Sequence, residues 1–248
     1  MSLGQAWSAE MAGTATQDEV FKYLDKYWES GGNFLDTSNN YQNGEVEDSL
    51  KKLNTSYVDL LYVHWWDYST SIPELMQGLD SLVKANKVLY LGISDTPAWI
   101  VVKANEYARA HGMAQFVVYQ GMWNVGARDI EREIVPMCRA EGMGIAPWGV
   151  LGQGKFKSEE EIKARSHLRY GLPQTEEEKK LSAVLNKIAA DVGGGATIAS
   201  IAVAWTLAKC PYVFPVIGGK SEKQLDEAIK ASPQIRPRLR SICLSAGY

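Results

Sequence analysis

Apolar positions along the chain follow two spacings. Short, nearly unbroken apolar runs occur at residues 32–37, 58–65, 88–94, 115–120, 144–148 and 213–218. Their brevity and aliphatic content fit strands buried on both faces, as in a parallel sheet. Between them, apolar residues recur every three or four positions. In residues 17–29, Val20, Tyr23, Leu24, Tyr27 and Trp28 share one face, and Thr16 with Glu19 gives a capping-box pattern. Residues 73–85 and 97–110 each open on a proline suited to a first helical turn. Pro136 interrupts 128–141, so a kinked or broken helix is expected there. Residues 175–191 and 197–209 complete the helices, with Thr175 and Glu178 repeating the cap and Gly193-Gly194-Gly195 separating the pair.

Strand–helix–strand alternation predicts right-handed βαβ units and an α/β fold. At 248 residues the chain has the length of a closed (β/α)8 barrel, so 1–248 reads as a single domain. Only six strands are visible, however. Residues 1–4 offer the stump of another, and nothing between Tyr41 and Val58 reads as a strand, which leaves a barrel incomplete by two. Residues 155–180 are half charged against 22% for the whole chain, the composition of a solvated insertion with two short helical pieces.

Composition narrows the class. A net charge of −3 argues against a nucleic-acid partner. Cys138, Cys210 and Cys243 show no CxxC or CxxH pairing, which excludes a disulfide framework and a cysteine-rich zinc site; no metal is expected. No run approaches 18 apolar residues, and the first fifteen lack a basic start and an apolar core. The expectation is a cytoplasmic globular protein with no membrane partner.

Chemistry in α/β folds gathers at the carboxyl ends of strands. Those ends carry Asp36 before Thr37-Ser38-Asn39-Asn40-Tyr41, His64 before Trp65-Trp66-Asp67, Ser94-Asp95, Tyr119-Gln120, Pro147-Trp148-Gly149 and Gly218-Gly219-Lys220. Each also has a plainer reading. Asp36 suits a turn, Tyr41 a surface loop and His64 a core position. Ser94-Asp95 suits a helix cap before Pro97, and Ser221 with Gln224 a capping box. Tryptophans 65, 66, 123 and 148 could line an aromatic pocket or fill the core.

Taken in order, GGNFLDTSNNY, LLYVHWWD, GISDTP, VYQGMWN, APWGVLGQGKF and VIGGKSEKQLDE resemble the aldo-keto reductases, in their fungal aryl-alcohol dehydrogenase and norsolorinic acid reductase branch. The likeness runs from Met1 to about Ile229. It implies a (β/α)8 barrel binding NADPH at its C-terminal face, and an NADP-dependent oxidoreductase interconverting aromatic aldehydes or ketones and their alcohols. By position, Tyr41 matches the proton donor, Asp36 its aspartate partner, and His64 the histidine that orients the carbonyl. Ser94, Asp95 and Gln120 match the holders of the nicotinamide carboxamide, with Asp95 standing where the family more often has asparagine. Trp148 matches the stacking ring. Gly149, Val150, Leu151, Gly152, Gln153, Gly154, Lys155 and Phe156 would follow the pyrophosphate. Gly219, Lys220, Ser221, Gln224 and Glu227 would hold the adenosine end, with Lys220 and Ser221 at a 2′-phosphate.

One departure stands out. Glu45 runs directly into Val46-Glu47-Asp48-Ser49-Leu50, which resembles the helix after the third strand, so that strand is missing, and with it the lysine that the resemblance implies beside the tyrosine, held by the aspartate. Lys51 and Lys52 belong to a solvated helix face and do not replace it. Residues physically present between Glu45 and Val46, a shortened barrel, or a catalytically impaired NADP(H)-binding regulatory protein would each account for the departure.

Overall fold

The computed structural model describes residues 16–38, 53–163, 173–219 and 221–229. Helix α1 spans Gln17–Glu29 and starts as expected: the Glu19 N–H donates to the Thr16 hydroxyl at 3.3 Å, and the Thr16 N–H donates back to the Glu19 carboxylate at 2.8 Å. Four strands follow, β1 (Val58–Val63), β2 (Val88–Ser94), β3 (Phe116–Met122) and β4 (Gly144–Trp148). They form one parallel sheet in chain order. Helices α2 (Ile72–Lys84), α3 (Ala98–Ala110) and α4 (Ile134–Glu141) make the crossovers. Beyond β4 come a short turn, Gly152–Gly154, then α5 (Glu159–Lys163), α6 (Glu176–Val192), α7 (Ile198–Lys209) and α8 (Glu222–Ile229).

Two expected strands do not form as such. Residues 32–38 share no backbone ladder with a strand among the described residues. The Phe34 backbone instead turns to Tyr27, whose hydroxyl donates to the Phe34 carbonyl at 2.8 Å and accepts its N–H at 3.1 Å. A strand exists only within a ladder, and this ladder has no other rail. The run at 213–218 comes closer. Ile145 N–H donates to Tyr212, Phe214 N–H to Ile145, and Val216 N–H to Pro147, so this segment lies parallel to β4. Pro147 has no N–H, so the ladder loses a rung and only Val213 pairs as a strand residue. The break near Pro136 also falls earlier than the proline. A short turn at Asp129–Glu131 precedes α4, and Pro136 sits in the first turn of α4, where a backbone N–H needs no helical partner.

Two cores result. Met76 and Leu79 of α2, Val101 and Ala104 of α3, and Met137 and Cys138 of α4 pack on Leu91, Ile93, Phe116 and Ile145. The second core joins Leu185 and Ala189 of α6 to Ile201 and Ala204 of α7, and takes in Val150 and Phe156 from the loop after β4. Of tryptophans 65, 66, 123 and 148, Trp66 and Trp123 are buried, Trp65 is exposed and Trp148 is half-buried. Met1–Gly4 and the Glu45–Val46 junction lie outside the described residues. No helix among the described residues is long and apolar enough to cross a membrane.

Candidate active site

Register puts the polar residues of three strands on one level. Val63 pairs with Ile93, and Ser94 with Gln120, so His64 just beyond β1 stands beside Ser94 and Gln120 on the inner side of the sheet. Ser94 and Gln120 are buried, and the Gln120 amide donates to the Asp36 carboxylate at 3.1 Å. That bond joins residues 84 positions apart and fixes the 32–38 segment against β3. Ser38, not singled out in the sequence, brings its Oγ within 3.0 Å of His64 Nδ1. Its placement two residues beyond Asp36 is the only clue the chain offered. The His64 ring lies 4.6 Å from that of Trp65, tilted by 44°.

A cleft of about 830 Å³ opens over this level. Asp36, His64, Ser94, Asp95, Gln120, Trp148, Gly149, Gln153 and Gly219 all line it. The far wall comes from Tyr23 and Tyr27 of α1 and from residues 213–219. Such a volume falls within the usual range of small-molecule and cofactor sites.

Asp95 is not a helix cap. Pro97 holds the position before α3, with no side-chain cap, and Asp95 adopts a left-handed conformation with φ 42°. Asn and Asp tolerate that region better than other side chains do. Neighbouring bonds impose it: Asp95 N–H donates to the Gln120 carbonyl at 3.1 Å, and the Tyr119 hydroxyl both accepts from Thr96 N–H and donates to the Thr96 carbonyl. The loop therefore aims Asp95 into the cleft.

Electrostatics follow from the walls. Desolvation raises the Asp36 carboxyl above its ordinary value, against the opposing pull of the Gln120 amide and His64. Desolvation raises Asp95 as well, opposed by the Trp148 side chain, Ser94 and His64. Two carboxyls, one imidazole and an indole thus share the cleft.

The remaining expected residues are distributed differently. Val150 and Phe156 are buried in the second core, so any ligand along this loop meets its backbone rather than those side chains. Leu151 packs against the same core. Gly152 and Gly154 take positive φ, and a Cβ on Gly152 would lie 2.7 Å from the Phe156 ring. Lys155 pairs with Glu178 of α6 at 2.9 Å. Ser221 caps α8 by accepting the Gln224 N–H at 3.4 Å, which is the plainer of its two readings. Gln224 and Glu227 are half-buried on α8 and are not among the residues that line the cleft, although Gln224 lies close to Gly219. Tyr41 and Lys220 lie outside the described residues.

A cleft running from Trp148 and Gly149 to Gly219 has room for an extended ligand, and its donors and half-buried indole suit an amide-bearing aromatic ring. The residues present therefore fit a nicotinamide dinucleotide.

Comparison with known proteins agrees. The profile of the Aldo/keto reductase family matches residues 45–236. Norsolorinic acid reductase B of Dothistroma septosporum is 42% identical over 93% of this chain and 72% of its own length. Norsolorinic acid reductase A of Aspergillus parasiticus is 43% identical, over 93% and 71%. The aryl-alcohol dehydrogenase [NADP(+)] of Phanerodontia chrysosporium is 39% identical, over 93% and 76%. The first alignment extends over 289 residues, more than the 248 of this chain, so that relative carries internal residues with no counterpart here. The family fold is a (β/α)8 barrel, and the parallel β1-β2-β3-β4 order with helical crossovers is an arc of such a barrel. By profile match, by shared identity and by fold, the chain belongs to the aldo/keto reductase family of oxidoreductases.

Proposed function

We propose that residues 1–248 form one reductase domain that uses NADPH/NADP+ to interconvert aromatic aldehydes or ketones and the corresponding alcohols. The observation carrying this reading is the convergence of Asp36, His64, Ser94, Gln120 and Trp148 on one cleft at the strand ends. The name of the Phanerodontia relative supports both the cofactor and the aromatic substrate class. Exposed Trp65 beside His64, with Trp148, supplies aromatic surface for such a substrate. Buried, unpaired thiols at Cys138 and Cys210 accord with a cytoplasmic location.

When bound, the dinucleotide supplies or accepts hydride. The chain's residues do the rest. Ser94, Asp95 and Gln120 hold the amide end of the nicotinamide, and Trp148 offers a ring face to it. The backbone around Gly149 and Gln153 follows the pyrophosphate, and Gly219, with Lys220 and Ser221, takes the adenosine end. His64, steadied by Ser38, orients the carbonyl oxygen. Tyr41 donates the proton that the developing alkoxide needs, and Asp36 sets the charge around it. Tyr41→Phe is expected to lower the rate of NADPH oxidation with a benzaldehyde by roughly a hundredfold or more. An unchanged rate removes Tyr41 from the mechanism, and tight NADPH binding without turnover in the unaltered protein replaces the reductase by a binding protein.

A further inference from the structure

Beneath the floor of the cleft lies a phenol that the proposed reaction does not use. Tyr62 sits two residues before His64 on β1, so both side chains point to the inner side of the sheet. Its rung is Tyr62–Gly92–Val118, one level below His64, Ser94 and Gln120. Gly92 makes room for the ring: a Cβ there would fall 2.5 Å from Tyr62 Cε1 and 3.0 Å from Val118 Cγ1. The ring therefore lies flat across β2 toward β3. Tyr62 is not among the residues lining the cleft, so it touches no ligand there.

The hydroxyl is the anomaly. It is buried and has no hydrogen-bond partner, and it is the sole such side-chain atom among the described residues. Burial pushes its pKa up to about 12; the nearby Gln120 side chain opposes that rise and the Asp36 charge adds to it. A desolvated, unpaired hydroxyl costs about 1–3 kcal/mol, and phenylalanine would fill the same space without that cost. The Asp36 carboxylate above it receives one donor from the described side chains, the Gln120 amide. An unused donor thus lies within electrostatic reach of an acceptor with unused capacity, the two sharing Gln120 as a neighbour.

We propose that Tyr62 is a positioning residue that sets the charge state of Asp36, its hydroxyl donating to the Asp36 carboxylate when that group is ionised and standing unpaired when it is protonated. The inference rests on the reductase reading for its kinetic consequence but not for the titration itself. The groups that share this environment are Tyr62 and His64 from β1, Asp95 after β2, Gln120 from β3, and Tyr23 and Tyr27 from α1. Of these, His64 favours ionised Asp36, as a donating Tyr62 does, so the effect of Tyr62 must be read by removing it alone.

The test is Tyr62→Phe, read first by carbon-13 NMR titration of the Asp36 carboxyl in the protein without added cofactor. Loss of a donor to the ionised form raises the Asp36 midpoint by about one pH unit. At pH below the Asp36 midpoint, where the hydroxyl stands unpaired, the thermal midpoint is expected to stay equal or rise, since no bond of the hydroxyl is lost there. In turnover of a benzaldehyde, the acid limb of kcat moves upward by a similar amount while KM changes less than about twofold. An Asp36 titration that overlays that of the unaltered protein overturns the proposal, as does a lower thermal midpoint at pH below the Asp36 midpoint, which would mean that the hydroxyl has a structural partner other than ionised Asp36. Absence of turnover in both proteins, with the titration shifted, counts against the reductase reading and leaves the role of Tyr62 intact.

Discussion

At the scale of single residues, the cleft is defined by its negative charge. Asp36 and Asp95 both face it, and no lysine or arginine is among the described residues that line it. An oxidised nicotinamide ring is cationic and a reduced one is neutral, so each carboxylate favours the oxidised form. Asp95→Asn is expected to weaken NADP+ binding about fivefold relative to NADPH, the size of one partly screened charge interaction at close range. Fluorescence titration with each form gives the two dissociation constants, and an unchanged ratio places Asp95 away from the ring. The sequence disclosed most of this constellation because strand ends are readable: a polar residue closing an aliphatic run is conspicuous at His64, Ser94 and Gln120. Ser38 and Tyr62 were not readable in the same way. Ser38 acts across 26 positions on His64, and the role of Tyr62 depends on a glycine on the neighbouring strand.

Among elements, those legible in the chain carry their own instructions. The capping boxes at Thr16 and Thr175 each start a helix where the sequence places it, and three positive-φ glycines separate α6 from α7. The segments at 32–37 and 213–218 carried equally good apolar runs, but strand formation depends on what lies alongside. One shares no backbone ladder with a strand among the described residues, and the other meets Pro147. The junction of α3 with α4 was also invisible, being made by side chains far apart in sequence. Asn105 accepts the Phe116 N–H at 2.9 Å and donates to the Phe116 carbonyl, and Glu141 joins it with Arg109 at 2.8 Å. The Arg109 hydrogen bond, with lesser help from Asn105, holds the Glu141 carboxyl below its ordinary range. Its native pKa therefore lies under the unfolded value near 4.3, so its stabilisation is complete above about that pH and is lost as pH falls through the native value. Glu141→Gln is expected to lower the thermal midpoint at neutral pH by about 2–4 °C. The gap closes as the medium is acidified, and a gap that persists in acid assigns the effect to packing rather than charge.

For the whole molecule, the division into two cores determines which damage reaches the cleft. The first core joins the sheet to α2, α3 and α4, on the side of the strands away from His64, Ser94 and Gln120. The second lies under the loop after β4: Val150 and Phe156 anchor that loop, while Leu151 and Ile217 pack at its margin. Gly149 and Gln153, which face the cleft, are thus held by neighbours rooted between α6 and α7. Ile201 and Met76 are both fully buried, one in each core. Truncating either to alanine costs about 2–5 kcal/mol, a loss of roughly 4–20 °C in the thermal midpoint for a protein of this size. The consequences for binding differ. Ile201→Ala removes support from the loop and is expected to weaken NADP+ about tenfold as well as lowering the midpoint. Met76→Ala lowers the midpoint to a similar degree and leaves the dissociation constant within about twofold. Equal weakening in the two variants means that the cores are one cooperative unit as far as the cleft is concerned. Loss of affinity in Ile201→Ala alone assigns α6 and α7 the part of a platform, through which packing far from the strand ends governs how firmly a dinucleotide is held.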